Sequence, residues 1–156
     1  CILAKQLNDE LGNGDPSKAH RLLFQTMLAD LEPYAPRDRD ARLAPGRRFA
    51  EGLARNYVER PWLEAVGGSL IAEVYGKQVD QVLGALLRRQ RDLDPESLTW
   101  LVLHETLEED HASEAADLAR MVPASAEARA AMCRGAEELA ALGMRYFDDL
   151  YEVVFS

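Results

Sequence analysis

Apolar positions recur at three- and four-residue spacing almost from end to end of the chain, and no stretch alternates with β-branched enrichment. The pattern predicts an all-α protein. Ile2, Leu3, Leu7 and Leu11 carry a first helix, which Gly12-Asn13-Gly14 breaks. Asp15-Pro16 reads as the cap and first position of a second helix through Leu22, Leu23, Met27 and Leu28. Residues 32–46 hold three prolines among many charges and are expected to form the longest loop, a candidate lid or pocket rim. A short helix over about 47–59 follows. Pro61 then opens a long helix to about residue 90, whose glycines 67, 68, 76 and 84 predict a kink or close helix packing. Asp94-Pro95-Glu96 has the cap, proline and first-turn acid that start a helix running to about Met121. The last helix spans about Ala126 to Val153.

The 156 residues suit one domain, 1–156, with a single core. No apolar run approaches a membrane span, and the opening decapeptide lacks the form of a signal peptide. The formal charge of −9 opposes binding to phosphate backbones, so no nucleic-acid partner is expected. Cys1 and Cys133 lie far apart without metal-ligand spacing, which points to a reducing, cytoplasmic setting. Because the chain begins with Cys1 inside a helical pattern, its first helices are expected to be missing.

The chemistry concentrates around three histidines. In HETLEEDH, His104, Glu108 and His111 fall at i, i+4 and i+7 and share one helix face. Glu108 and His111 also have the i, i+3 carboxylate–imidazole spacing of helical dimetal sites. Burying such a trio costs several kcal/mol unless a cation compensates it, although a solvated acidic face with incidental histidines has the same pattern. In NDELGNGDPSKAH, a glycine turn separates Glu10 from His20 and can bring the two around a corner. An ordinary acid and a core histidine are the plainer alternative. Glu73 stands among Leu70, Ile71, Ala72, Val74 and Tyr75, where a carboxylate calls for a metal or a basic partner. Together Glu10, His20, Glu73, His104, Glu108 and His111 form a nitrogen and oxygen donor set suited to iron or manganese, without the thiolates of structural zinc.

These motifs resemble the haem-oxygenase-like dimetal oxidases, also called iron-containing redox enzymes. NDELGNGDPSKAH is similar to that family's acidic-glycine turn before a ligand histidine. HETLEEDHASEA is similar to its HxxxDxxH helix, with Glu108 at the usual aspartate, and GAEELAALGMRYFDDLYE resembles its closing helix. The resemblance implies a haem-oxygenase-like helical bundle that binds no haem. It also implies two non-haem Fe(II) ions, with dioxygen as co-substrate. The expected reactions are N-oxygenation of an amine or guanidine, or oxidative cleavage of an amino or fatty acid. Glu10, His20 and His111 would serve mainly one iron, while His104, Glu108 and Glu73 serve the other or bridge. A small-molecule substrate, no membrane partner and a homodimer option complete the expectation. A cofactorless enzyme of the thiaminase or pyrroloquinoline-quinone synthase type, and a structural helical domain with a degenerate metal site, are the alternatives.

Overall fold

A computed structural model describes residues 2–34, 39–89 and 93–155, apart from the side chains of 39–42 and 107–109. The described residues form six α-helices: α1 (Ile2–Glu10), α2 (His20–Leu31), α3 (Arg39–Val58), α4 (Trp62–Leu87), α5 (Thr99–Arg120) and α6 (Ala126–Phe155). Short 3₁₀ turns at Pro16–Lys18, Glu32–Tyr34 and Pro95–Leu98 join some of them. No strand occurs among the described residues, which are all-α. No helix among them is long and apolar enough to cross a membrane.

The chain packs as two compact units, Cys1–Ala35 with Val74–Glu114, and Pro36–Glu73 with Ala115–Ser156; α4 and α5 contribute residues to both. In the first unit Met27 of α2 and Leu101 of α5 are almost fully buried together with Leu98. Leu31, Leu83, Leu87 and Trp100 pack around them. Each such side chain contributes roughly 1.5–3 kcal/mol by leaving water. This cluster clamps α2 to α5, and both helices carry histidines on the clamped faces. His20 lies two turns before Met27, and His104 one turn after Leu101.

Asp80 of α4 is buried in the same unit at 7% exposure. Burial, and after it the Glu105 charge, push its carboxyl up to about 6. Glu105 itself is engaged by a bidentate pair with Arg88.

In the second unit α3 runs antiparallel to α6. Phe49 stacks on Tyr146 with ring centroids 4.7 Å apart, Gly52 lies under Leu142, and Arg48 Nη2 donates to Asp149 Oδ2 at 2.7 Å. The first turns of α4 cross α6 closely enough that a Cβ on Gly67 would strike the Met132 carbonyl, so close packing is what the expected glycine signal meant there. Ser125 Oγ caps α6 by accepting from the Ala128 N–H at 3.0 Å.

Two sequence expectations change. Helix α3 begins at Arg39, so much of the expected 32–46 loop is helical; residues 35–38 lie outside the described ones. Pro45 sits inside α3 and is fully buried, and burial of its ring offsets the backbone bond that proline cannot make. Asp15-Pro16 does not open α2. Asp15 Oδ1 accepts from the Ser17 N–H at 3.1 Å and caps only a 3₁₀ turn, closed by Lys18 N–H to Asp15 O at 2.9 Å. Ala19 then leaves the helical region (φ −56°, ψ 128°), and α2 restarts at His20.

Candidate metal centre

The site is built on a chain reversal. Helix α1 ends with the Asn13 N–H bonded to Asn8 O and the Gly12 N–H to Asp9 O, both at 2.9 Å, the paired closure of a Schellman cap. The cap needs a left-handed residue, and Gly12 supplies it at φ +88°. A Cβ there would also collide with the Asp15 carbonyl and the backbone of Lys18 and Ala19. Asn8 Nδ2 donates to Asn13 Oδ1 at 2.7 Å and pins the turn. The reversal turns the last residue of α1 toward the first residue of α2: Glu10 Oε1 lies 3.0 Å from His20 Nδ1.

Helix α5 adds His104. Its Nδ1 donates to the Trp100 carbonyl at 3.0 Å, so the proton resides on Nδ1 and the Nε2 lone pair is free to bind a cation. The His20 and His104 rings meet edge to face at 4.8 Å, Trp100 lies against His104 at 4.0 Å, and Phe24 lies against Trp100. Burial is the main reason the His104 imidazole titrates below its ordinary value. The Trp100 bond and the Glu10 charge oppose that shift, and the neighbouring imidazoles of His20 and His111 add to it. A neutral imidazole is the form a metal binds.

One donor atom each from Glu10, His20 and His104 lies within 4.8 Å of the others. The buried His20 Nδ1 has no hydrogen-bond partner, although the Glu10 carboxylate is 3.0 Å away. Two donors that close without hydrogen-bond geometry fit adjacent corners of a coordination sphere, since ligands about 2.1 Å from an ion at right angles stand about 3 Å apart. Two imidazoles and one carboxylate make the donor set of non-haem Fe(II) oxygenases. The residues therefore fit iron by the chemistry of their donors, which converge to within 4.8 Å of one another.

His111 lies two turns beyond His104 and is buried at 4% exposure. Its Nε2 is 3.7 Å from Asp9 Oδ2. Asp9 was not among the sequence candidates, yet it is the buried carboxylate of α1, at 7% exposure, while Glu10 is half-exposed. Burial alone would raise the Asp9 carboxyl. The Asn13 side chain, the Lys5 ammonium and the His111 ring outweigh it and hold the group below the usual aspartate range. Lys5 Nζ reaches Asp9 Oδ2 at 3.4 Å and Glu114 Oε1 at 2.6 Å. The i, i+4 spacing of Lys5 and Asp9, and the i, i+3 spacing of His111 and Glu114, are the sequence signals for this second group.

Among the described residues the structure thus gathers Glu10, His20 and His104, where the family resemblance implied His111 beside the first two. Glu108 lies on α5 between the two histidines, and its side chain is outside the described ones. Glu73 belongs to the second unit, where burial and then its charge push the Tyr57 phenol up to about 12. In that same unit Arg55, Asn56, Arg60, Leu139 and Arg145 line a cavity of about 580 Å³.

No curated protein and no solved structure matches the chain significantly. A family model described as iron-containing redox enzyme matches residues 2–144, from the first turn of α1 to beyond the middle of α6. With iron-type donors converging where that match begins and on the fifth helix within it, the chain belongs to the haem-oxygenase-like family of iron-containing redox enzymes.

Proposed function

We propose that the protein is a non-haem diiron oxygenase or oxidase that uses dioxygen to oxidise a small molecule. The reaction class is N-oxygenation of an amine or guanidine, or oxidative cleavage of an amino or fatty acid. The observation that carries the reading is the convergence of Glu10, His20 and His104 in a chain of this family. These three would hold the first iron. His111, with Glu108 beside it on α5, would serve the second.

Bound iron would supply the electrons and open coordination positions for reducing dioxygen. The chain's own residues do the positioning. The Trp100 carbonyl holds the His104 proton on Nδ1 and keeps Nε2 directed as a donor. Trp100 covers one side of the His104 imidazole with aromatic surface, and Phe24 lies against Trp100. Glu10 is 46% exposed at its side chain, so its carboxylate marks the side open to solvent and to a small substrate. Asp9, kept ionised, places fixed negative charge beside His111 and favours cation uptake there.

The test is anaerobic Fe(II) loading, with iron counted per chain, followed by dioxygen exposure and measurement of oxygen consumed and absorbance change. Two irons per chain and rapid oxygen consumption, both impaired in His20→Ala and His104→Ala, are expected. A folded chain that takes up no iron above the level of these variants would overturn the reading.

A further inference from the structure

The cavity of the second unit lies between one face of α3, from Gly52 to the Glu59 that follows the helix, and one face of α6, from Glu138 to Arg145. At about 580 Å³ it has the size of a small-molecule site. Three arginines and two glutamates line it, one net positive charge in a chain whose formal charge is −9. These charges are not equally committed. Arg60 Nη1 donates to Glu64 Oε2 at 3.1 Å, and Arg60 also pairs with Glu138. Arg55 and Arg145 make no ion pair among the described residues; Arg55 Nε has only a long bond to the Glu51 carbonyl, at 3.4 Å. Two guanidiniums, one on each wall, are therefore left to meet an anion. Glu59, also without an ion pair among the described residues, stands on the same rim and opposes a dianion. The balance suits a single negative charge, and a guanidinium matches a carboxylate in shape as well as sign. Leu139 and Leu142 offer apolar surface to the rest of the molecule.

Asn56 is an independent sign. It lines the cavity at 6% exposure, with its amide against Gly68 of α4. Neither its nitrogen nor its oxygen has a hydrogen-bond partner among the described residues. A buried amide left so is costly, and a ligand or an ordered water is the usual reason that one persists. We propose that the α3–α6 cavity binds a small organic monocarboxylate with an apolar body, Arg55 and Arg145 taking the carboxylate and Leu139 and Leu142 the apolar part. The site needs no metal and does not rest on the diiron reading.

Phenylacetate is the probe, titrated calorimetrically into the metal-free full chain beside its uncharged counterpart phenylacetamide and the dianion phenyl phosphate. One phenylacetate per chain should bind, with a Kd of about 1 mM or tighter. Phenylacetamide and phenyl phosphate should each bind more weakly, the amide by about tenfold, as loss of a charge-assisted hydrogen bond implies. Arg55→Gln and Arg145→Gln should each weaken phenylacetate by a similar factor. Both arginines are exposed, so both variants should keep the wild-type melting temperature. His104→Ala should bind phenylacetate as wild type does. Equal affinity for acid and amide, tighter binding of phenyl phosphate, or no effect of either arginine variant overturns the proposal. Loss of binding in His104→Ala overturns it too, because the probe would then sit at the donor cluster. So does wild type that binds no phenylacetate up to about 10 mM, the level ordinary contacts alone give a ligand of this size. Each of these failures leaves the metal reading standing, since no metal is present in the titration.

Discussion

Replacing Asp80 by asparagine should stabilise the protein at neutral pH. Asp80 is buried at 7% exposure with the Glu105 charge nearby, and its carboxyl is pushed up from 3.8 to about 6. The shift expresses the cost of ionising the group in the folded chain. At about 1.4 kcal/mol for each pKa unit, the rise corresponds to roughly 3 kcal/mol. The sign follows from proton counting. Between the unfolded value near 3.8 and the folded value near 6, the folded state binds more protons, so wild-type stability falls as pH rises through that window. At pH 7 the whole penalty is present. Asparagine has nearly the same shape without the charge, and its amide needs a partner that the carboxylate did not, so the net gain should be about 1–3 kcal/mol. Urea denaturation at several pH values measures it. The Asp80→Asn variant should exceed wild type at pH 7, with the advantage shrinking as pH falls and gone near pH 4. An equal difference at both ends of the range, or a less stable variant at pH 7, would refute the reasoning.

Other outcomes follow from the same geometry. Gly12→Ala should lower stability by about 1–2 kcal/mol or more, because the left-handed backbone penalises a Cβ that also has no room; thermal melting checks it, and Gly14→Ala, where no atom lies near, should cost less. His104→Ala should weaken tight metal uptake by at least about a hundredfold, whereas Phe24→Leu should change it little, both read by metal titration. Glu73→Gln should bring the Tyr57 phenol down from about 12 toward its ordinary 10, measured by ultraviolet titration of tyrosinate, while burial keeps part of the rise.

The sequence exposed the elements more readily than their joints. Proline, caps and the glycine break mark most of the helix boundaries, but the start of α2 is not among them. Asp15-Pro16 is a sound helix opening that a 3₁₀ turn uses up, and only the extended Ala19 moves the helix to His20. Pro45 marked a loop because local chemistry disfavours proline inside a helix. Its burial in α3, next to Phe49 and Tyr146 around one hollow, outweighs that preference. In the site, spacing told which α5 residues share a face but not which of them meets α1. His104 and His111 are separated by about 10 Å of helix axis. Which one reaches Glu10 and His20 is set by how Met27 packs on Leu101, a long-range contact with no local signature. Asp9 lacks a local signature for a related reason: the last turn of α1 offers two adjacent acids, and only the direction of the turn tells which is buried.

The Schellman reversal at Gly12 also bears on the order in which the centre assembles. Glu10 and His20 are ten residues apart and are brought together by hydrogen bonds made within residues 8–19. Closing so short a loop costs little chain entropy, so this half of the donor set can form early and survive local opening elsewhere. His104 arrives only once α5 docks on α2 through the hydrophobic cluster. A bound ion would therefore tie a locally folded corner to the most distant part of its own unit. It would act as a removable crosslink whose loss under a chelator is felt first as detachment of α5, before any unravelling of the turn itself.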